Sequence, residues 1–172
     1  MSDNPLHSKV VEITRCDIAE VKIDELRNHR ALYSTKGFHP DELMIAFAAG
    51  VVHESPNYLT VQVNDGEHIE LSPEYLECTN HSCDPNCFFD TMRYQLIALR
   101  KIEIGDELTF FYPSTEWDMD RSFKCHCGSQ CCIGLIQGAR YLSREVVKRY
   151  RFTDYIHKKL IAAGLQEIHK SA

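Results

Sequence analysis

The chain has 172 residues, of which 44% are hydrophobic and 26% charged, the composition of a soluble globular protein that can bury a core without disulfides. The formal net charge of −6 disfavours direct binding to nucleic acid, which requires neutralised phosphates, and mildly favours a basic partner such as a lysine-bearing peptide. No apolar run could span a bilayer and the N-terminus lacks the apolar stretch of a signal peptide, so we expect no membrane contact and an intracellular location, cytoplasmic or nuclear.

The first third of the chain predicts a series of short strands. Residues 10–14 favour a strand, whereas 18–30 fit either a strand or a short helix. A strand is predicted at 31–35, and the apolar run at 43–48 indicates a buried strand. Residues 57–63 alternate between apolar and polar side chains and predict the clearest strand of this region.

Turn signals follow this region. Asp65 and Gly66 come directly after the alternating run and predict a β-hairpin, because this dipeptide suits a tight turn. Ser72 then predicts a helix N-cap, with Pro73 as the first residue of a single helical turn at 73–76.

Further short strands are predicted at 88–90, at 93–99 and at 108–112, the last ending before Pro113. This succession of short strands with turn residues between them favours a mainly β fold over alternating strands and helices.

The C-terminal region changes to helical periodicity. Apolar residues at helical spacing predict a helix within 139–150. Thr153 is a candidate N-cap for a second helix at 154–163, which Gly164 would end. The basic side chains of this region indicate a solvated face.

The eight cysteines indicate metal ligands or core thiols, since disulfides are rare in a reducing compartment. Cys125, Cys127 and Cys132 could supply three thiolates to a structural zinc ion, which requires four ligands. Cys83 is the candidate for the fourth, and Cys131 could replace Cys132. The alternative interpretation is a group of unliganded thiols.

Cys83 lies in a loop that is unusually rich in functional side chains, NHSCDPNC at residues 80–87. A histidine such as His81 is more often a hydrogen-bonded structural residue than a catalyst. A tyrosine at the end of a strand, such as Tyr112, usually packs in a core. Because Asn80 and His81 lie next to the candidate metal ligand Cys83, they are stronger candidates for a functional site, whereas Tyr112 taken alone carries little functional signal.

Three motifs, in this order, resemble those of the SET-domain protein methyltransferases. NHSCDPN at 80–86 matches the family signature N-H-S-C-x-P-N, and GDELTFFY at 105–112 is similar to G-E-E-L-T-F-D-Y. CHCGSQCCIG at 125–134 is similar to the post-SET motif C-x-C-G-S-x-x-C-x-G. The resemblance covers approximately residues 28–136.

The resemblance implies a SET-domain fold of small β-sheets, with the signature segment threaded through a loop as a pseudoknot, followed by a post-SET zinc segment. The helical periodicity described above adds two α-helices after it. The domains would be an N-terminal extension at 1–27, the SET domain at 28–113, the post-SET segment at 114–136 and a helical appendage at 137–172.

The resemblance also implies the roles of individual residues. The cofactor would be S-adenosylmethionine, and Tyr112 would be the catalytic tyrosine beside the methyl-transfer channel. A family strand that reads G-x-G-L-F-A corresponds to HRALYS at 29–34, in which both glycines are replaced. The cofactor-binding residues would be Asn80, His81, Arg30, Ala31 and Tyr33. The substrate channel would include Phe110 and Phe111, and one Zn²⁺ would bind Cys83, Cys125, Cys127 and Cys132.

The implied activity is transfer of methyl groups from S-adenosylmethionine to a lysine side chain of a protein, a histone tail being one candidate. Phe110 occupies a position where the family has either Phe or Tyr, and a Phe there implies room for more than one methyl group. A homodimer is one candidate assembly. The alternatives are a SET fold that acts on a small-molecule amine or catalyses another reaction, and a non-catalytic adaptor that binds a partner through its C-terminal helices.

Overall fold

Thirteen short strands and two α-helices make up the regular β and α structure of the described residues, 10–24 and 29–167, in this computed structural model. In chain order they are β1 (Val10–Arg15), β2 (Ala19–Asp24), β3 (His29–Ser34), β4 (Leu43–Ala46), β5 (Ala48–His53), β6 (Val61–Asn64), β7 (Glu67–Ser72), β8 (Asn80–His81), β9 (Cys87–Asp90), β10 (Gln95–Ala98), β11 (Thr109–Phe110), β12 (Phe123–Lys124), β13 (Leu135–Ile136), α1 (Arg144–Val147) and α2 (Asp154–Ala162).

The strands form small sheets, as predicted. Three sheets have three strands each, in the orders β1-β2-β3, β4-β10-β9 and β5-β7-β6, and the pairs β11-β8 and β12-β13 complete the set. The predicted strands at 10–14, 31–35, 88–90 and 93–99 are confirmed within a few residues. The ambiguous part of 18–30 forms the strand β2, and residues 1–9 of the predicted N-terminal extension lie outside the described residues.

The predicted strand at 57–63 is wrong in its first half. The side chain of Asn57 accepts a hydrogen bond from Leu59 N at 2.8 Å, and Thr60 N donates to the carbonyl of Asn57 at 3.3 Å. This local turn delays the strand until Val61. The predicted hairpin is confirmed, with Gly66 at φ 66° between β6 and β7.

Three further element predictions are corrected. The run at 43–48 is not one buried strand, because it is divided between β4 and β5, which belong to different sheets. Ser72 is not a helix N-cap: it ends β7, and the helical turn that follows is a 3-10 helix at Glu74–Cys78 with Pro73 as its N-cap. Of the predicted strand at 108–112, only β11 pairs, with β8.

The C-terminal region contains less helix than its periodicity suggests. The predicted helix at 139–150 is interrupted, because Leu142 ends a 3-10 turn and Ser143 caps α1 through a hydrogen bond from Val146 N. The second helix is confirmed: Thr153 caps α2, and Gly164 follows it at φ 69°. Within residues 10–24 and 29–167, no helix combines the length and the apolar composition that crossing a membrane requires.

The C-terminal region packs on a second core of its own. Phe111, 2% exposed, lies at its centre with Val147, Phe152, Ile156 and other apolar residues. The ring of Phe111 stacks on that of Tyr150 at a centroid distance of 3.7 Å. The main core, built from the three larger sheets, is separate from this cluster. The predicted domain boundaries stay predictions.

We expect Gly138→Ala to destabilise the attachment of the C-terminal region. Gly138 has φ 122°, and a β-carbon there would lie 2.6 Å from the carbonyl oxygen of Trp117. Overpacking against backbone together with a disfavoured φ predicts a loss of about 3 kcal/mol in the free energy of unfolding, measurable by urea denaturation. Gly164→Ala is the control, since its φ is also positive but no atom lies within 4 Å, and it should cost about 1 kcal/mol. Equal losses in the two variants would contradict this account.

Candidate functional site

The parallel pair β8–β11 joins two of the motifs found in the sequence. Asn80 lies opposite Thr109, and His81 lies opposite Phe110. Ser82 N continues the pairing by donating to the carbonyl of Phe110 at 3.0 Å. The pairing therefore places the start of the signature loop beside the segment that leads to the candidate catalytic tyrosine.

Asn86 fastens the other end of the loop to the same segment. This residue is 5% exposed. Its Oδ1 accepts a hydrogen bond from Thr109 N at 2.8 Å, and its Nδ2 donates to the carbonyl of Glu107 at 2.8 Å. Its backbone N–H donates to the carbonyl of Thr109 at 3.1 Å. The carboxamide satisfies a backbone donor and a backbone acceptor at once, which an apolar side chain of similar size could not do.

The four predicted zinc ligands lie together. Their Sγ atoms are all within 4.8 Å of one another, and those of Cys83 and Cys125 are 3.9 Å apart. Four thiolates at about 2.3 Å from a tetrahedral zinc ion are separated by about 3.8 Å, so the cluster fits this ion with a small contraction. The members of this cysteine cluster are Cys83, Cys125, Cys127 and Cys132.

Burial raises the pKa of the Cys83 thiol and also that of the Cys125 thiol. A bound divalent cation would offset this cost, because metal ligation favours the thiolate. The sequence left open whether Cys131 or Cys132 completes the cluster. Cys131 stands apart from it, with its Sγ 2.9 Å from Ser129 Oγ and 3.0 Å from the carbonyl of Cys83, so the geometry favours Cys132.

His81 connects the cysteine cluster to the tyrosine segment. Its Nδ1 accepts a hydrogen bond from the backbone N–H of Tyr112 at 3.2 Å, which leaves the ring hydrogen on Nε2. That nitrogen lies 3.3 Å from Cys83 Sγ. Burial lowers the pKa of His81 to about 4, so the ring is neutral near pH 7. Both nitrogens are used inside the protein, and the sequence could not have predicted these partners.

The predicted cofactor-binding residues form a second group on the β3 side. Asn80 Nδ2 donates to the carbonyl of Arg30 at 2.9 Å and to Glu107 Oε1 at 3.0 Å. Ala31 is buried between the strands, and Tyr33 forms an isolated bridge with Glu107. The structure therefore brings β3, β8 and the 105–112 motif together at one place.

Tyr112 and Phe110 lie on a cavity of about 200 Å³. Their ring centroids are 4.7 Å apart, and Tyr112 Oη lies 3.4 Å from the carbonyl of Thr79. Burial, with a smaller effect of Glu107, raises the pKa of Tyr112 to about 12, so its hydroxyl keeps its proton. The walls come mainly from 56–61 and 115–123.

Only some of the predicted site residues line this cavity. Most of it is apolar, and its acidic members are Glu77, Glu116 and Asp120. None of the five predicted cofactor-binding residues lines it, although Thr79, which does, directly precedes Asn80. Phe111, predicted as a channel residue, does not line it either, because its side chain points into the second core.

Sequence reasoning missed two buried polar residues beside this cavity, Gln62 and Glu116. Glu116 is 6% exposed, and its Oε1 accepts a hydrogen bond from Gln62 N at 2.8 Å. These residues lie far apart in the chain and match no motif quoted above. Glu116 stands in the polar, acidic stretch TEWDMD at 115–120, so the local sequence gives no sign that its carboxyl is buried.

A family model described as SET domain matches residues 7–113, more than half of the chain. The protein named Methyltransferase flvH from Aspergillus flavus is 46% identical over 111 residues, which are 63% of this chain and 61% of that protein. The H3 lysine-36 specific histone-lysine N-methyltransferase of Emericella nidulans is 28% identical over 135 residues, 66% of this chain and 14% of that enzyme.

The chain thus spans less than two thirds of the length of these relatives. A solved structure of KRYPTONITE in complex with mCHG DNA and SAH aligns with a TM-score of 0.49 at 22% identity, over 62% of this chain and 26% of that one.

The predicted fold class is confirmed: a mainly β SET fold with two α-helices after a cysteine-rich segment. With the SET-domain model matched over 7–113, the chain belongs to the SET-domain family.

Proposed function

We propose that this protein is an S-adenosylmethionine-dependent methyltransferase whose acceptor is the side-chain amine of a protein lysine. The observation that carries the proposal is the buried, protonated hydroxyl of Tyr112 on a narrow, mainly apolar cavity with Phe110 beside it. Family membership and the names of two relatives support the same reaction class.

The groups around Asn80 suit the proposed cofactor, which contains an ammonium, a carboxylate and a sulfonium methyl group. Both contacts of Asn80 use Nδ2, so its Oδ1 can accept a hydrogen bond from an ammonium, and the Glu107 carboxylate lies next to it. The exposed side chain of Arg30 can pair with a carboxylate. We assign cofactor contacts to Asn80, His81, Arg30, Ala31 and Tyr33. When bound, S-adenosylmethionine supplies the methyl group as an electrophile.

The residues of the cavity would favour the neutral form of the amine and orient it. Apolar walls disfavour the charged ammonium and favour the neutral amine that can attack a methyl group. Tyr112 can orient the amine by hydrogen bonding, and holding two reactants in line removes much of the entropic barrier. Phe110 leaves space beside Tyr112 that a tyrosine hydroxyl would fill, and this supports transfer of more than one methyl group.

The acceptor is assigned to a basic peptide on electrostatic grounds. The cavity has three acidic residues, of which Glu116 is neutral near pH 7 because burial raises its pKa to about 8. Asp120 lies 3.5 Å from the single basic residue, Arg121, so Glu77 is the acid left to attract a cation. The relatives from Emericella nidulans and Schizosaccharomyces pombe modify histone H3 lysine 36 according to their names, which supports a histone tail and a nuclear location. A dimer, and the lack of direct contact with nucleic acid, stay predictions.

A second candidate is methyl transfer to a small-molecule amine. It is favoured by the size of the cavity, about 200 Å³, and by the relative at 46% identity, whose name specifies a methyltransferase without a protein acceptor. Methylation of a lysine peptide array, compared with methylation of a panel of alkyl amines and diamines, separates the two candidates.

We further propose that one Zn²⁺ binds the cysteine cluster and holds the post-SET segment against the signature loop. Three of its ligands come from the segment at 125–132 and the fourth, Cys83, from the loop that begins at Asn80. The ion would therefore connect the wall at 115–123 to the candidate cofactor site.

Tyr112→Phe should lower kcat about 100-fold or more while the protein stays folded, because removing one hydroxyl that orients or stabilises the reacting groups typically has that effect. Methyl transfer is measured by mass spectrometry on the best acceptor of the array. Tyr94→Phe is the matched control, since Tyr94 packs on Phe47 in the main core and away from the cavity. Wild-type kcat in Tyr112→Phe would remove the assigned role.

Elemental analysis should find about one zinc ion per chain, as expected for a single four-cysteine site. A strong chelator should lower the melting temperature and expose the segment at 125–136 to protease. Cys83→Ser should do the same, whereas Cys16→Ser, at a half-buried thiol outside the cluster, should retain the metal. A zinc-free wild-type protein with an unchanged melting temperature would refute the site.

A further inference from the structure

Gln62 is the centre of a buried hydrogen-bond network beside the amine cavity. This residue is 7% exposed, yet its side-chain polar atoms and its backbone N–H are paired. Its backbone N–H donates to Glu116 Oε1 at 2.8 Å, and its Oε1 accepts from Trp117 N at 3.0 Å. Its Nε2 donates to the carbonyl of Asn64 at 3.1 Å and to Tyr155 Oη at 3.2 Å. Strand β6 is thereby tied both to the segment after Tyr112 and to α2.

Glu116 fastens the same network to the turn that contains Tyr112. The backbone N–H groups of Thr115 and Glu116 both donate to the carbonyl of Tyr112, at 3.1 and 3.2 Å. Glu116 therefore contacts the tyrosine turn through its backbone and β6 through its side chain.

These contacts join two adjoining walls of the cavity. Thr60 and Val61, which directly precede Gln62, line one wall, and Thr115 and Glu116 line the adjoining wall next to Tyr112. Buried hydrogen bonds between polar groups are costly to break, because each group would be left unpaired. The separation of the two walls thus depends on the contacts of Gln62 with Glu116 and Trp117.

We propose that Gln62 and Glu116 form a clasp that sets the width of the amine cavity and so determines which acceptor amines fit beside Tyr112. The proposal rests on the proposed function for the nature of the acceptor, and on geometry alone for the clasp. Gln62 is a positioning residue here, because it acts through Thr60, Val61 and the Tyr112 turn, whereas Glu116 positions β6 and also lines the cavity itself.

The clasp also contains an acid, Glu116, of which one oxygen atom is unpaired. Glu116 Oε2 and His68 Nδ1 are both buried without a hydrogen-bond partner, and they lie 3.8 Å apart. A protonated Glu116 could donate to that nitrogen after a shift of about 1 Å. Glutamine at this position would keep an acceptor for Gln62 N and offer a donor to His68, so it is the conservative replacement.

The test compares Glu116→Ala, Gln62→Ala and Glu116→Gln with Glu70→Ala as the control, a half-buried acid on β7 that does not line the cavity. Initial rates of methyl transfer are measured for one histone H3 lysine-36 peptide and for the same peptide with monomethyl-lysine. The two alanine variants should change the ratio of these rates about tenfold, the usual effect of one methylene-sized change in fit. Glu116→Gln and Glu70→Ala should keep the wild-type ratio.

A rate ratio does not depend on how much of the enzyme is folded, so a merely structural role would leave it unchanged. An unchanged ratio in both alanine variants would overturn the proposal. Hydrogen exchange of the backbone amides of Gln62 and Trp117 tests the clasp without any activity, and Glu116→Ala should speed exchange at both. If the wild type methylates no amine, the proposed function fails, and slow, unaltered exchange in Glu116→Ala would still refute the clasp separately.

Glu116 also predicts a pH dependence of stability. Burial raises the pKa of this carboxyl to about 8, against the opposing effect of its bonds from Gln62 and Thr115. The folded chain keeps a proton that the unfolded chain releases around the ordinary glutamate pKa of 4.5, so stability should fall as pH rises from there to about 8. Urea midpoints at several pH values should decline less in Glu116→Gln than in the wild type.

Among the described residues, the titratable groups near Glu116 include His68 and Tyr155, with His53 behind His68. Glu77, Tyr112, Asp120 and Arg121 line the same cavity. They are the same in both proteins, so the difference between wild type and Glu116→Gln isolates the carboxyl. Parallel stability profiles for the two proteins from mildly acidic to mildly basic pH would show that Glu116 is not held protonated in the fold.

Discussion

The parallel pairing of β8 with β11 brings Asn80 and His81 beside the segment that ends in Tyr112, and Asn86 closes the pairing from the far end of the loop. A two-residue pair of strands has little stability of its own. The side-chain bonds of Asn86 and the two contacts of His81 supply the missing constraint. Asn80 and His81, the candidate catalytic tyrosine and Cys83 take their positions from this pairing, whereas the candidate cofactor residues of β3 are held by its pairing with β2.

The C-terminal region supports the site by contacting Cys83 and Phe111. Tyr150 Oη donates to the carbonyl of Cys83 at 2.7 Å, and its ring stacks on Phe111. This contact explains why a phenylalanine stands where the family motif has an acidic residue. An acid at position 111 would be buried under the second core without a partner, at a cost of several kcal/mol.

Much of the fold was predictable because its strands are short and separated by turn residues, as at Gly66. The failures have local causes: the Asn57 side chain replaces strand pairing by a turn, and the Ser143 cap divides a helix that periodicity alone makes continuous. Of the candidate site, whose zinc and channel roles stay proposals, the grouping of the four cysteines and that of Phe110 with Tyr112 could be predicted from the motif resemblance. Their mutual distances could not.

The sequence by itself determined the family, the mainly β architecture and the residue types that chemistry requires, because these depend on local patterns and on ligand identity. Only the tertiary structure decided which way each side chain faces. It turned Phe111 away from the cavity, set Cys131 apart from the cysteine cluster, and joined Gln62 to Glu116. Such contacts connect residues far apart in the chain, and the packing of whole elements, not local spacing, brings them together.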